Sequence, residues 1–255
     1  MKQKKILCGM VVVALVLSSC ASHYAMDNIS RTRIVVDNRY DRNPDVEAVR
    51  WLKPYKQHVD SVMSPVVGRV AHYMAKARPE SGLSNLLSDI LLWGGQRFNE
   101  HPAFAVYNIG GIRAALVQGD VTFGDVVDVA PFENKICFLT LSGRKVLELF
   151  GQIAHRGGEG VSHGVELEIT ADGQLRSAKI GGAPIDPEKQ YRVVTLDYVA
   201  QGNDQMTAFK SGTQVLSPQS EENNVRYLIT DYLRDCMKRG VVIDNKVEGR
   251  IKIVK

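Results

Sequence analysis

The stretch KICFLTL, Lys135 to Leu141, constrains the fold more than any other part of the chain. Nearly every position is apolar, so as a strand it presents apolar side chains on both faces, and each face must be covered by another layer. A sheet wetted on one side does not meet that demand. Helices able to supply the layers stand on either side in sequence. Ser142 is placed to cap a helix that shows Val146, Leu147, Phe150 and Ile153 on one side. Upstream, Leu83, Leu86, Leu87, Ile90 and Leu91 recur at helical spacing until Gly94-Gly95 ends the run. A last long helix is expected from about Glu221, with Val225, Leu228, Ile229, Tyr232, Leu233 and Cys236 on one stripe and a stop at Gly240.

Further strands surround these helices. AFAVY at 103–107, YRVVTLDY at 191–198 and the closing RIKIV are strand-like, and Val165, Leu167 and Ile169 alternate with polar residues before the tight-turn pair Asp172-Gly173. From Pro44 to about Met63, the spacing of Val46, Val49, Leu52, Val59 and Val62 predicts another helix, kinked at Pro54. Helices and hairpins alternate without regular βαβ repetition. The expected fold class is therefore α+β: a mixed α/β sandwich of layered helices and mixed sheets, not a doubly wound sheet. With 255 residues, 44% hydrophobic and 24% charged, the chain can bury a core of that size, and no linker or repeat divides it.

The beginning stands apart. A positive MKQKK, the apolar ILCGMVVVALVL and the small residues SSCAS read as a signal peptide, and Leu17-Ser18-Ser19-Cys20 resembles the lipobox of bacterial lipoproteins. That resemblance implies an exported, membrane-anchored bacterial lipoprotein in the periplasm or at the cell surface, lipidated on Cys20. The expected organisation is a signal peptide at 1–19, a tether at 20–43 and one folded domain at 44–255. Removing residues 1–19 takes away Lys2, Lys4 and Lys5 and brings the formal charge from +4 to +1, so nothing favours a nucleic-acid partner. Cys137 and Cys236 read as two buried thiols, and without a CxxC pair there is no zinc or redox signature.

Four segments carry possible chemistry. In YNIGGIR, Gly110 and Gly111 allow close backbone approach beside Asn108, and Arg113 offers a planar fork of donors for a carboxylate, phosphate or ribose oxygen. In VAPFENK, Pro131 stiffens the turn that presents Phe132. In TLDYVAQGNDQM, Tyr198 leaves a strand and Gly202-Asn203-Asp204 follows. The last is VEGRIKIV. Each residue has a plainer alternative: Phe132 as core, Tyr198 as a strand-end aromatic, Asp204 as a turn former, Arg113 as the ion-pair partner of Asp120 or Asp125.

In this order and spacing, the segments resemble the C-terminal domain of the 5'-nucleotidase family, from about Ser64 to about Ile253. The resemblance implies that domain's sandwich fold and a nucleotide or nucleoside ligand. It implies that Asn108 and Arg113 contact the nucleotide, that Phe132 and Tyr198 clamp the base, that Asp204 bonds to base or ribose, and that Gly202 lets its loop come close. Departures exist: Ile109 replaces a frequent third glycine, Asn203 stands in a frequent Gly-Gly-Asp, and ESGLSN at 80–85 has Gly82 where an Asn is usual. Arg78 is offset from an arginine that faces phosphate in relatives, which leaves its role open.

Hydrolysis in that family depends on a two-metal centre in another domain, with D-x-H, G-N-H and G-H-x-H motifs. Those motifs do not occur here as a set, and the six histidines are scattered. His155 and His163 lie in HRGGEGVSHG, which reads as a solvated loop. The expectation is a nucleotide-recognition component of a hydrolase for nucleotide catabolism, without cofactor or metal of its own. It would act beside a separate metallophosphoesterase chain that holds the divalent metals. The alternative is a lipid-anchored nucleoside-binding or scavenging protein without an enzymatic partner; hydrolysis by this chain alone is left open.

Overall fold

A computed structural model describes residues 26–255, so the signal peptide, Cys20 and the start of the tether lie outside the described residues. Residues 26–45 are exposed and irregular apart from a short 3-10 turn at Tyr40–Arg42. Six helices follow: α1 (Val46–Met63), α2 (Gly82–Gly94), α3 (Phe123–Val129), α4 (Gly143–His155), α5 (Asp197–Ala200) and α6 (Val225–Lys238). Eleven strands are interleaved with them: β1 (Val66–Val70), β2 (Phe104–Tyr107), β3 (Gly119–Thr122), β4 (Ile136–Ser142), β5 (Gly160–Val161), β6 (Val165–Thr170), β7 (Leu175–Ile180), β8 (Ala183–Pro184), β9 (Gln190–Leu196), β10 (Thr213–Leu216) and β11 (Ile251–Val254).

The apolar run KICFLTL contributes β4, buried from Ile136 to Leu141. It lies inside a five-stranded sheet of order β10-β4-β9-β2-β5. β4 and β9 pair antiparallel without a break from Ile136↔Leu196 to Ser142↔Gln190, and β2 runs parallel to β9. A second sheet, β11-β6-β7-β8, contains the Asp172-Gly173 hairpin and takes the chain's last strand parallel to β6. β1 and β3 form a two-stranded ribbon. α2 packs on β2, β5 and β9, while α4 packs on both larger sheets, touching β4 and β9 on one and β6 and β7 on the other. The mixed α+β sandwich is the observed architecture.

Local chemistry explains the helix ends. Ser81 and Ser84 form a reciprocal capping box at the start of α2, and the Ser142 hydroxyl accepts from Lys145 N–H at the start of α4. α4 buries Val146, Leu149, Phe150 and Ile153, and Phe150 meets Phe104 with ring centroids 5.2 Å apart. Gly94 closes α2 where it crosses α6: a Cβ there would stand 2.7 Å from Leu228, so the glycine serves close packing. α6 begins at Val225, capped by Asn224, later than the expected Glu221, because Glu221–Asn223 form a 3-10 turn. Cys137 and Cys236 are both buried free thiols, on β4 and α6.

The helix expected from Pro44 to about Met63 forms as α1, 18 residues that run through Pro54, with none of them buried. The chain divides into two units between Leu52 and Lys53, and residues 53–255 contain both large sheets. The segment HRGGEGVSHG is not a solvated loop. Gly158 to Ser162 are buried, and Gly160–Val161 form β5 against β2. The sequence misleads because what is buried here is mostly backbone: a Cβ on Gly160 would stand 2.7 Å from the Ser88 hydroxyl and 2.9 Å from the Tyr107 carbonyl. Gly158, at φ +109°, presses on the Pro79 carbonyl in the same way.

Candidate functional site: a cleft at one sheet edge

Strand direction gathers the candidate residues. β2 and β9 are parallel, so the turns after Tyr107 and after Leu196 leave the same edge of the sheet. β4 is antiparallel to β9, so the turn preceding Ile136 arrives at that edge as well. The three segments carrying Asn108, Tyr198 and Phe132 therefore meet although they are far apart in sequence.

They surround a cleft of about 350 Å³. Asn108, Gly110, Gly111, Arg113, Phe132, Tyr198 and Asp204 line it, together with Asn134, two residues after Phe132 in VAPFENK, for which the motif alone suggests no role. Gly202 does not line the cleft. It is buried at φ +81°, and a Cβ there would strike the Lys210 stem at 2.6 Å, so it shapes the turn that carries Asp204. Asp204 and Gln205 themselves adopt left-handed φ of 53° and 61°.

The glycine turn is tightly organised. Gly111 N–H bonds to the Asn108 carbonyl at 3.0 Å and Ile112 N–H to the Ile109 carbonyl at 3.1 Å. A Cβ on Gly111 would come within 2.8 Å of Asn108 Oδ1, which is why the amide can fold over the turn. Asn108 is itself buried and donates from Nδ2 to Asp204 Oδ2 at 2.6 Å. That bond fixes one carboxylate oxygen of Asp204 and ties two of the segments together.

Arg113 is exposed, and it pairs with neither Asp120 nor Asp125. Asp120 meets Arg69 at 3.3 Å, and Asp125 caps Thr122 at the start of α3. The Arg113 guanidinium carbon instead lies 5.7 Å from the centroid of the Phe132 ring. A cation held over one ring of the cleft keeps donor hydrogens available at its mouth.

The rings are not core. Phe132 is 45% exposed and Tyr198 40%, while the turns beneath them are held by long-range bonds. Arg226 Nη2 donates to the Pro131 carbonyl at 2.9 Å, and Val225 N–H donates to the Asn134 carbonyl at 2.9 Å. Tyr198 stands in the first turn of α5, directly after β9. Asp197 Oδ1 joins the two walls by accepting from Lys135 N–H at 3.0 Å and from Tyr198 N–H at 2.8 Å. Asp197 was missed in sequence because an Asp before an aromatic at a strand end carries no signal of its distant partner.

Among the described residues, no group of three or more His, Cys, Asp or Glu side chains is placed to hold a metal ion. His163 meets Glu248 at 3.3 Å and His72 meets Asp244 at 3.0 Å, two separate surface pairs.

Residues 66–211 match the family model of the 5'-nucleotidase C-terminal domain. Among curated relatives, Protein UshA of Yersinia enterocolitica is 28% identical over 63% of this chain and 30% of its own length. The trifunctional nucleotide phosphoesterase protein YfkN of Bacillus subtilis is 26% identical over 89% of this chain and 16% of its own. The chain thus matches less than a third of the length of either. A 5'-nucleotidase precursor from Thermus thermophilus superposes with a TM-score of 0.70 at 26% identity, over 83% of this chain and 44% of that one. The NAD nucleotidase of Haemophilus influenzae, at 19% identity and a TM-score of 0.59, over 82% of this chain and 41% of that one, shares the fold. With the family model spanning more than half of its length, the chain belongs to the 5'-nucleotidase C-terminal domain family.

Proposed function

We propose that this protein recognises nucleotides and nucleosides in the cleft at the sheet edge and serves nucleotide catabolism as the binding component of a 5'-nucleotidase-type hydrolase. The observation that carries this reading is the pair of half-exposed rings, Phe132 and Tyr198, lining one cleft with Arg113 and the Asn108–Asp204 pair. A nucleobase enters between the rings, where stacking contributes about 1–3 kcal/mol per base and tolerates every base. The free oxygen of Asp204 accepts from a ribose hydroxyl or a base N–H, and Arg113 faces the sugar-phosphate side.

Phosphoester hydrolysis of the 5'-nucleotidase type uses metal-activated water and metal ions that neutralise the phosphoryl oxygens. In this reading a separate metallophosphoesterase chain supplies that chemistry, and the present chain contributes affinity, orientation and base tolerance. Export and attachment to a membrane through lipidated Cys20 belong to the same proposal, motivated by the lipobox-like LSSC.

Calorimetry with adenosine and AMP tests recognition; both are expected to bind. Phosphate release from AMP with added Mn²⁺ or Zn²⁺ is expected only with the phosphatase chain present. Metal-dependent turnover by the purified chain alone refutes the division of labour. Adenosine binding with no effect of this chain on any phosphatase favours the scavenging alternative.

A further inference from the structure

The segment between α4 and β5 carries a charged group that the recognition chemistry does not use. The Glu159 side chain is fully buried, 0% exposed. Its Oε1 accepts from Arg78 Nη2 at 2.8 Å and from Arg156 Nε at 2.6 Å, and its Oε2 accepts from the backbone N–H of Ile109. A carboxyl group at such a depth loses its hydration, and ion pairs and hydrogen bonds must replace it. Here two guanidiniums satisfy one oxygen and leave the other for a single main-chain donor.

That donor sits at a critical place. The β2–β5 ladder ends at Tyr107↔Gly160, so the N–H of Ile109 falls beyond the last sheet partner, at the start of the glycine turn. Asn108, one residue earlier, holds Asp204, and Gly110 and Gly111 line the cleft. A hydrogen bond from Ile109 N–H to Glu159 thus anchors the turn through a residue that does not itself line the cleft.

The geometry points to Glu159 as a positioning residue for the recognition loop, braced by Arg78 and Arg156: it sets the Asn108–Gly111 turn, and through Asn108 it sets Asp204. This inference rests on the nucleotide reading above. It also gives Arg78 a role: its guanidinium is turned onto Glu159.

The test uses the full chain with Glu159→Gln, Arg78→Ala and Arg78→Lys. The readouts are adenosine affinity by calorimetry, thermal midpoint, and hydrogen exchange of the peptide containing residues 108–112. Glu159→Gln is expected to weaken adenosine binding about tenfold or more at a temperature where the protein is folded, and to speed exchange across that peptide. Arg78→Ala leaves Arg156 and Ile109 on the carboxylate and is expected to weaken binding about two- to threefold, with Arg78→Lys restoring most of it. Lowered thermal midpoints with unchanged adenosine affinity make Glu159 merely structural and overturn the proposal. If Glu159→Gln does not fold, the two Arg78 variants decide, and equal affinity in both and in the parent overturns it. Should the parent chain bind no nucleotide, the functional reading fails by itself. Hydrogen exchange then still decides the positioning role, which falls if residues 108–112 exchange at the parent rate in the variants.

Discussion

Removing one wall of the cleft tests the recognition reading most directly. In Phe132→Ala the ring is lost from a turn whose main-chain anchors, Arg226 on Pro131 and Val225 on Asn134, stay in place. With 45% of the residue already exposed, only about half of the roughly 1.5–3 kcal/mol for fully burying such a side chain is at stake in folding. Loss of the Arg113 contact at 5.7 Å adds about 0.5–1 kcal/mol. The folding cost is then about 1–2.5 kcal/mol, a drop of several degrees in thermal midpoint for a domain of this size. Binding loses stacking on one face, about 1–3 kcal/mol, which weakens adenosine about 5- to 150-fold. Calorimetry at 25 °C, where the variant remains folded, separates the two effects. Tyr198→Ala is expected to behave alike, and the double variant to lose less than the product of the two, because both rings grip the same base. An adenosine affinity within about twofold of the parent in the double variant refutes the clamp.

Arg113→Gln is expected to weaken AMP by about tenfold and adenosine by less, since a guanidinium discriminates for the phosphate; equal losses for both ligands in calorimetry count against that role. Asp197→Asn keeps an oxygen for the N–H groups of Lys135 and Tyr198 and is expected to bind adenosine like the parent, whereas Asp197→Ala releases both walls and weakens it about tenfold. The Arg192 guanidinium bonded to Glu100 holds that carboxyl below its ordinary value of 4.5, with burial opposing. The stabilisation is therefore present above about pH 4.5 and is lost as pH falls through the lowered value. Glu100→Gln should lower the thermal midpoint at neutral pH, with the gap closing in acid, and a gap independent of pH contradicts the assignment. Gly158→Ala, at φ +109° against the Pro79 carbonyl, is expected to cost about 2 kcal/mol or more in denaturant unfolding, and a neutral outcome contradicts the close approach.

What could be read from the sequence was whatever depends on near neighbours. The nearly continuous apolar run at 136–141 demanded layers on both faces, Ser142 announced the start of a helix, and Asp172-Gly173 announced a hairpin, because each rests on side-chain period or on bonds within a few residues. Most of the cleft residues were legible because four motifs, in their order, resemble those of the 5'-nucleotidase C-terminal domain; taken singly, Phe132 reads as core and Tyr198 as a strand-end aromatic. α1 shows the limit of periodicity: a helical apolar spacing formed its helix, but spacing alone does not say how deeply a face is buried.

The tertiary structure alone decided which polar groups are buried and what they hold. Glu159 lies among glycines and a histidine and looks solvated, yet its partners, Arg78 and Ile109, stand 81 and 50 residues away in the chain. The plainer alternative for Arg113, an ion pair with Asp120 or Asp125, falls because those carboxylates are taken by Arg69 and by a helix cap, leaving the guanidinium over Phe132. The physical reason is common to all of these. Periodicity and turn chemistry are encoded locally in the backbone, whereas the partner of a buried charge is chosen by strand order and direction, which only the folded chain brings about.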